Sequence, residues 1–211
     1  IVGFHKTAKS YLAAVVYAKA NQEYSRNEVG EKTIKGLEKA SQLNLKDIYS
    51  RTLTQALNLK IKQVTAKSGF SKSELQKTVS LAEKAGLKAS QINPRNSQNW
   101  LNLAIFYEGL SALQIEKAAD SALDCLQKAK ALSPNNPQIP LMMSRLYIVA
   151  SQQKTIEEQK KNQFLQLSVE YLNQSIALKS NFSSAYYLLA VVYEMQGKKD
   201  LAILSYQEVL K

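Results

Sequence analysis

Residues 100–134 read WLNLAIFYEGLSALQIEKAADSALDCLQKAKALSP. Trp100, Leu103, Ala104 and Tyr107 fall at i, i+3, i+4 and i+7, which draws one apolar stripe along a helix. Ala122, Leu126 and Ala129 draw a second stripe, and Pro134 closes it. The stretch therefore predicts two antiparallel helices. The aromatic residues fill the wide part of the pair, and the alanines sit where the backbones come close. Such a hairpin cannot bury both of its faces alone, so it predicts a stack of similar hairpins rather than a globule with a cleft.

The same intervals recur on both sides. Upstream, Tyr17, Ala20, Asn21 and Tyr24 are followed by Thr33, Leu37, Ala40 and Leu45 in a divergent version of the hairpin. A second pair places Ile48, Tyr49, Leu53, Ala56, Leu57 and Ile61 on its first helix. Its second helix carries Leu75, Val79, Ala82, Ala85 or Gly86, and Ala89 inward and ends at Asn93 and Pro94. Ser71 and Glu74 have the spacing of a capping box at the start of that second helix, with Phe70 and Leu75 as a hydrophobic staple. Downstream, Asn136 and Pro137 open a helix containing Met143, Ser144 and Tyr147, and Ser168, Leu172 and Ser175 resume the pattern after a polar stretch. The last copy is Tyr186, Leu189, Ala190, Tyr193, Gly197, Ala202 and Tyr206. The expected organisation is all-α, with divergent, basic helix pairs over 1–94 and three repeats over 95–134, 135–180 and 181–211. Together they are expected to form one continuous solenoid of about five pairs.

Composition narrows the function classes. Seven glycines and four prolines in 211 residues leave little punctuation, as long helices require. The net charge is +11, and residues 1–96 hold 17 Lys and Arg against 7 Asp and Glu. Only four of the 28 basic residues are arginine, which argues against phosphate or base-edge reading and so against nucleic acid. Lys32, Lys35 and Lys39, and separately Lys77, Lys84 and Lys88, share helix faces opposite the apolar stripes. They are read either as a solvated outer face or as a contact for an anionic membrane surface. Cys125 is a lone thiol on an apolar stripe, and His5 is the only histidine, so neither a disulfide nor a metal site is expected and no cofactor is implied.

No enzyme signature stands out. Ser151 and Lys154 have the spacing of a nucleophile pair but lack any partner motif, and Glu157 and Glu158 are adjacent and point apart on a helix. No eighteen-residue apolar run occurs, so none of these residues is expected to span a bilayer. The chain begins at Ile1 and stops within a closing helix. An unpaired terminal hairpin leaves self-association open.

The hairpins resemble tetratricopeptide repeats, whose period is about 34 residues. Trp100–Pro134 and Tyr186–Tyr206 carry the resemblance best. Excess residues after Tyr107, after Tyr147 and between Leu57 and Ala82 are expected to lengthen helices. The resemblance implies a right-handed superhelix of antiparallel helix pairs, a noncatalytic scaffold whose concave groove binds a protein or peptide. Groove positions then fall to Gln98, Leu101, Asn102, Ile105, Gln138, Leu141, Arg145, Tyr187, Val191 and Met195. Among these only Asn102 and Arg145 resemble the family's carboxylate-clamp residues, so clamping of an acidic C-terminus is not expected. The apolar row is read either as a docking surface or as internal packing.

A narrower resemblance, carried by the apolar lead-in Ile1–Phe4, the Tyr-rich first helix, Tyr49, Arg51, Leu53 and Leu57, and the enlarged hairpin after Trp100, is to the repeat region of bacterial O-antigen-ligase-like membrane proteins. It implies a bacterial source, a membrane tether upstream of Ile1, and catalysis outside these residues.

Overall fold

The computed structural model describes residues 2–26, 28–153 and 155–210, with side chains from residue 7 onward. Ile1 and Lys154, and the side chains of Val2–Lys6, lie outside the described residues. The described residues form helices α1 (Val2–Ser25), α2 (Glu31–Leu43), α3 (Asp47–Thr65), α4 (Lys72–Ile92), α5 (Ser97–Ala112), α6 (Ala118–Leu132), α7 (Gln138–Ser151), α8 (Glu158–Leu178), α9 (Ser183–Met195) and α10 (Lys199–Val209). No strand occurs among them. The chain divides into two compact units, Ile1–Gly109 and Leu110–Lys211, with the division inside α5.

In the first unit α1 packs on α2, α2 on α3, and α3 on α4. Small residues set the approach of α1 to α2, because a Cβ on Gly36 would lie 2.9 Å from Ala20 Cβ. Tyr17 crosses from α1 to α3, where its ring lies 4.7 Å from that of Tyr49 and its hydroxyl 3.1 Å from Thr52 Oγ1. A Cβ on Gly86 would meet Leu103 Cδ1 at 2.6 Å, so glycine is what lets α4 receive the α5 side chain. Leu45, placed on the stripe by its spacing, is 69% exposed, because α2 ends at Leu43 and the extended Asn44 turns the chain away.

In the second unit α6 packs on α7, α7 on α8, α8 on α9, and α9 on α10. Leu141, Leu165, Val169, Leu172, Phe182, Leu189 and Val192 form one core cluster. The buried positions of α8, at Leu165, Ser168, Val169, Leu172 and Ser175, keep the helical stripe. Tyr147 stacks on Tyr171 with centroids 5.6 Å apart, and Phe164 lies against the same Tyr147 ring.

Helix boundaries follow local chemistry. Ser71 Oγ accepts from Glu74 N at 3.3 Å, which is half of the capping box. The Glu74 carboxylate meets Lys60 Nζ at 3.3 Å and so ties α4 to α3. Asn96 and Asn136 occupy matching corners, each accepting from the backbone N–H two residues on, at Gln98 and Gln138. The excess residues divide between helix and loop. α3, α4 and α8 have 19, 21 and 21 residues against 13 and 11 for α9 and α10. After α5, part of the excess forms a turn in which Gln114 and Lys117 take left-handed backbone conformations.

Candidate partner-binding surface

On α9 of the second unit, Ala185, Leu189, Ala190 and Val192 point inward, which leaves Tyr187, Val191 and Met195 along a flank at intervals of four. Tyr187 is 52% exposed, Val191 is half-buried, and Met195 is half-buried against the core cluster. The Tyr187 ring lies 6.1 Å from that of Tyr206 on α10, whose hydroxyl donates to Glu194 Oε2 at 3.2 Å. On α7, Gln138 and Arg145 are exposed, whereas Leu141 is buried in the core cluster. Tyr187, Val191 and Met195 offer an aromatic and thioether strip suited to non-covalent contact. In the first unit Gln98 and Ile105 are exposed on α5, and Leu101 and Asn102 are buried. The apolar row thus has both fates: Leu101 and Leu141 are core, and Ile105 and Tyr187 face out.

Several solved structures share this architecture. TTC0263, described as a thermophilic TPR protein in Thermus thermophilus, superposes with a TM-score of 0.64 at 18% identity, over 94% of this chain and 90% of its own. The chain folds as a tetratricopeptide-repeat protein. MamA 41-end from Desulfovibrio magneticus RS-1 superposes on the TPR helices with a TM-score of 0.64 at 13% identity, over 94% of this chain and 93% of its own. Pseudomonas aeruginosa PilF gives 0.66 at 14%, over 96% of this chain and 77% of its own. At these identities the likeness is one of fold alone. No protein-family model and no curated protein sequence matches the chain.

Within the TPR frame the clamp-like Asn102 is already used, since its Nδ2 lies 3.4 Å from the Arg51 carbonyl oxygen. It belongs to a polar cluster that joins α3, α4 and α5. Asn99, 1% exposed, donates through Nδ2 to Asp47 Oδ2, Ala89 O and Asn93 O, each at 3.0 Å. Its Oδ1 accepts from Arg51 Nη1 at 2.8 Å. Asn96 Nδ2 reaches Asp47 Oδ2 at 2.8 Å. Partial burial pushes the Asp47 carboxyl up, but hydrogen bonds from Asn99, Asn96 and the Ile48 N–H, with the Arg51 charge, hold it below its ordinary value. Sequence reasoning missed this cluster. Its one local signal was the i, i+4 spacing of Asp47 and Arg51.

The lysine faces also divide. Lys32 pairs with Glu23 at 3.1 Å and Lys35 with Glu31 at 2.7 Å, while Lys39, Lys77 and Lys84 are exposed. Lys88 is different, because its Nζ donates to Ser41 O at 2.7 Å and so caps the last turn of α2 from α4. Lys60 and Lys77 flank a shallow depression of about 380 Å³ over Ile34 and Leu57, between α2, α3 and α4. Ser151 is buried and donates to Ile148 O at 2.7 Å, a helix-internal bond that occupies its hydroxyl proton. Burial pushes the Cys125 thiol up to about 11. Among the described residues no three His, Cys, Asp or Glu gather to hold a metal ion.

Proposed function

We propose that this chain is a noncatalytic scaffold that binds a protein or peptide partner, and that in the second unit the contact centres on Tyr187, Val191 and Met195, with Arg145 and Gln138 as polar neighbours. The carrying observation is Tyr187, a large aromatic left half in solvent on a helix whose opposite face is core. Tyrosine at such a position supplies contact area at low entropic cost and is enriched among residues that dominate binding energy. The fold supports the reading, since a stack of helix pairs presents a row of side chains without assembling a reaction centre. Ile105 and Gln98 form a corresponding exposed surface on α5.

The test places a photo-crosslinking amino acid at Tyr187 or Val191, and as a control at the exposed Asn173, in the producing cell. Adducts at the first two positions alone support the surface. With the crosslinker at Val191, Tyr187→Glu should then remove the adduct while leaving far-UV circular dichroism unchanged. Equal adducts at Asn173, or none at any position, would remove α9 from the account.

A second reading, in which these repeats extend from a membrane-embedded polymerase or ligase, draws on the apolar outer face of α1. No described helix is itself long and apolar enough to cross a membrane.

A further inference from the structure

The outer row of α10 is explained by the hairpin before it. Ser168 and Leu172 of α8 recur as Ala202 and Tyr206 of α10, so Leu165, Val169 and Ile176 correspond to Lys199, Ile203 and Leu210. On α8 these positions are covered. Leu165 and Val169 share a core cluster with Phe182, Ala185, Leu189 and Val192 of α9, and Ile176 packs against it. On α10 no described helix covers them: Lys199 is exposed, Ile203 is 55% exposed and Leu210 88%. The first helices of the two hairpins show the same asymmetry. Met143, Ser144 and Tyr147 of α7 recur as Leu189, Ala190 and Tyr193 of α9, so buried Leu141 corresponds to exposed Tyr187. The Tyr187 ring lies beside that of Tyr206, so it borders the α10 row. Tyr187, Ile203, Tyr206 and Leu210 therefore form a seat for one more helix, of the kind that α9 fills on α8.

We propose that α10 of a second copy of this chain takes that seat, so that α9 and α10 of two protomers close into a two-fold four-helix bundle. The direction fits. The short connection between α8 and α9 sets the seated helix antiparallel to its support, and a two-fold axis sets α10 antiparallel to its own copy. The row is self-complementary, since Ile203, Tyr206 and Leu210 follow at intervals of three and four. In the antiparallel register centred on this row, Ile203 of each protomer opposes Leu210 of the other, and the two Tyr206 rings meet near the axis. Charge agrees with this occupant. Within residues 203–210 the one charged side chain is Glu208, on the opposite face of the helix. Lys199 falls beside the C-terminal end of the other α10, where unpaired carbonyls favour a cation. Residues 97–211 carry a net charge of only +1, so two copies meet here without the repulsion that +10 over 1–96 would bring, and an anionic bilayer finds no excess of cations. Area sets the strength. With 11 residues in α10, the pairing buries close to the lower limit of roughly 1,000 Å² for a specific interface, so the dimer is weak. The inference goes beyond the partner strip: its centre is α10, Tyr187 borders both surfaces, and Val191 belongs to the strip alone.

The experiment is sedimentation equilibrium of the 211-residue chain over a range of concentrations. The average mass should rise with concentration toward twice that of the chain and no further. Ile203→Gln combined with Leu210→Gln should raise the dissociation constant more than about tenfold, with far-UV circular dichroism unchanged because both side chains are exposed. Tyr11→Gln combined with Leu12→Gln, on an exposed apolar row of α1, should leave the dimer intact. A monomer at every concentration, or a dimer indifferent to the α10 variant, would overturn the proposal. Growth past the dimer, or loss of association in the α1 variant, would also overturn it, by making the contact head-to-tail between α10 of one copy and α1 of the next. The Val191 adduct reads the partner strip separately, so either surface can fail while the other stands.

Discussion

Asn99 shows how much one side chain can hold in a stack of helices. Its amide satisfies the Asp47 carboxylate, two carbonyls at the end of α4 and the Arg51 guanidinium, all close to the N-terminus of α5. Replacing it with alanine leaves buried polar groups unpaired, and each such group costs about 1–3 kcal/mol. We expect Asn99→Ala to lower unfolding free energy by about 2–3 kcal/mol in urea titrations, whereas alanine at the exposed Gln98 should change it by less than about 0.5 kcal/mol. The cluster also sets a pH dependence. Because Asp47 is held below its ordinary value of 3.8, its stabilisation is present above that value and lost as pH falls through the lower folded value. The wild type should therefore lose more stability on acidification than Asp47→Asn does, and equal slopes would dismiss the carboxylate as the cause. Beyond the i, i+4 spacing of Asp47 and Arg51 none of this was legible beforehand, since Asp47 and Asn99 lie 52 residues apart. The Ser71–Glu74 cap was legible because its donor and acceptor are three residues apart. The exposure of Tyr187 was half legible: its helical position was clear, but whether a neighbour covers it depends on how α9 meets α10.

At the scale of helix pairs, small residues decide how closely backbones approach. Gly36 and Ala20 bring α1 against α2, and alanine at Gly36 would place its Cβ 2.9 Å from that of Ala20. Neither methyl can rotate aside, so the helices must separate. Alanine in a helix gains about 1 kcal/mol over glycine in propensity, whereas overpacking costs about 1–3 kcal/mol. Overpacking wins, and Gly36→Ala should lower the thermal midpoint. A raised midpoint would mean that α1 docks loosely. At this scale the sequence was most informative, because alternating small and large residues at intervals of three and four specify both the helix and its partner face. The stripes read between Tyr17 and Tyr206 fall on helices α1 to α10. Lengths were harder to read. An excess residue lengthens a helix if it continues the apolar period, as in α8, and enters a turn if it does not, as between α5 and α6. Distinguishing the two requires knowing which face a neighbour covers.

Over the whole molecule the decisive asymmetry is charge. Residues 1–96 carry a net +10 and the remainder +1, although both parts are built from the same kind of helix pair. Among the ion pairs in the first unit, Lys35–Glu31 is exposed on both sides, and Lys32–Glu23 and Lys60–Glu74 each have one exposed partner. Exposed pairs contribute about 0–1 kcal/mol each and are screened by salt. Repulsion among the excess lysines acts at longer range and is screened as the Debye length falls to about 10 Å at 0.1 M. With 17 basic against 7 acidic residues in 1–96, repulsion exceeds pairing. Added sodium chloride should therefore slow amide hydrogen exchange in α1–α4 and leave α7–α10 nearly unchanged. Because stability in a repeat stack is largely a sum of local terms, the effect should stay in the basic unit rather than spread along the chain. A uniform response in all helices would mean that the two units unfold as one. Faster exchange in α1–α4 would mean that the ion pairs outweigh the repulsion, and that the clustered lysines are held in place by their acidic neighbours.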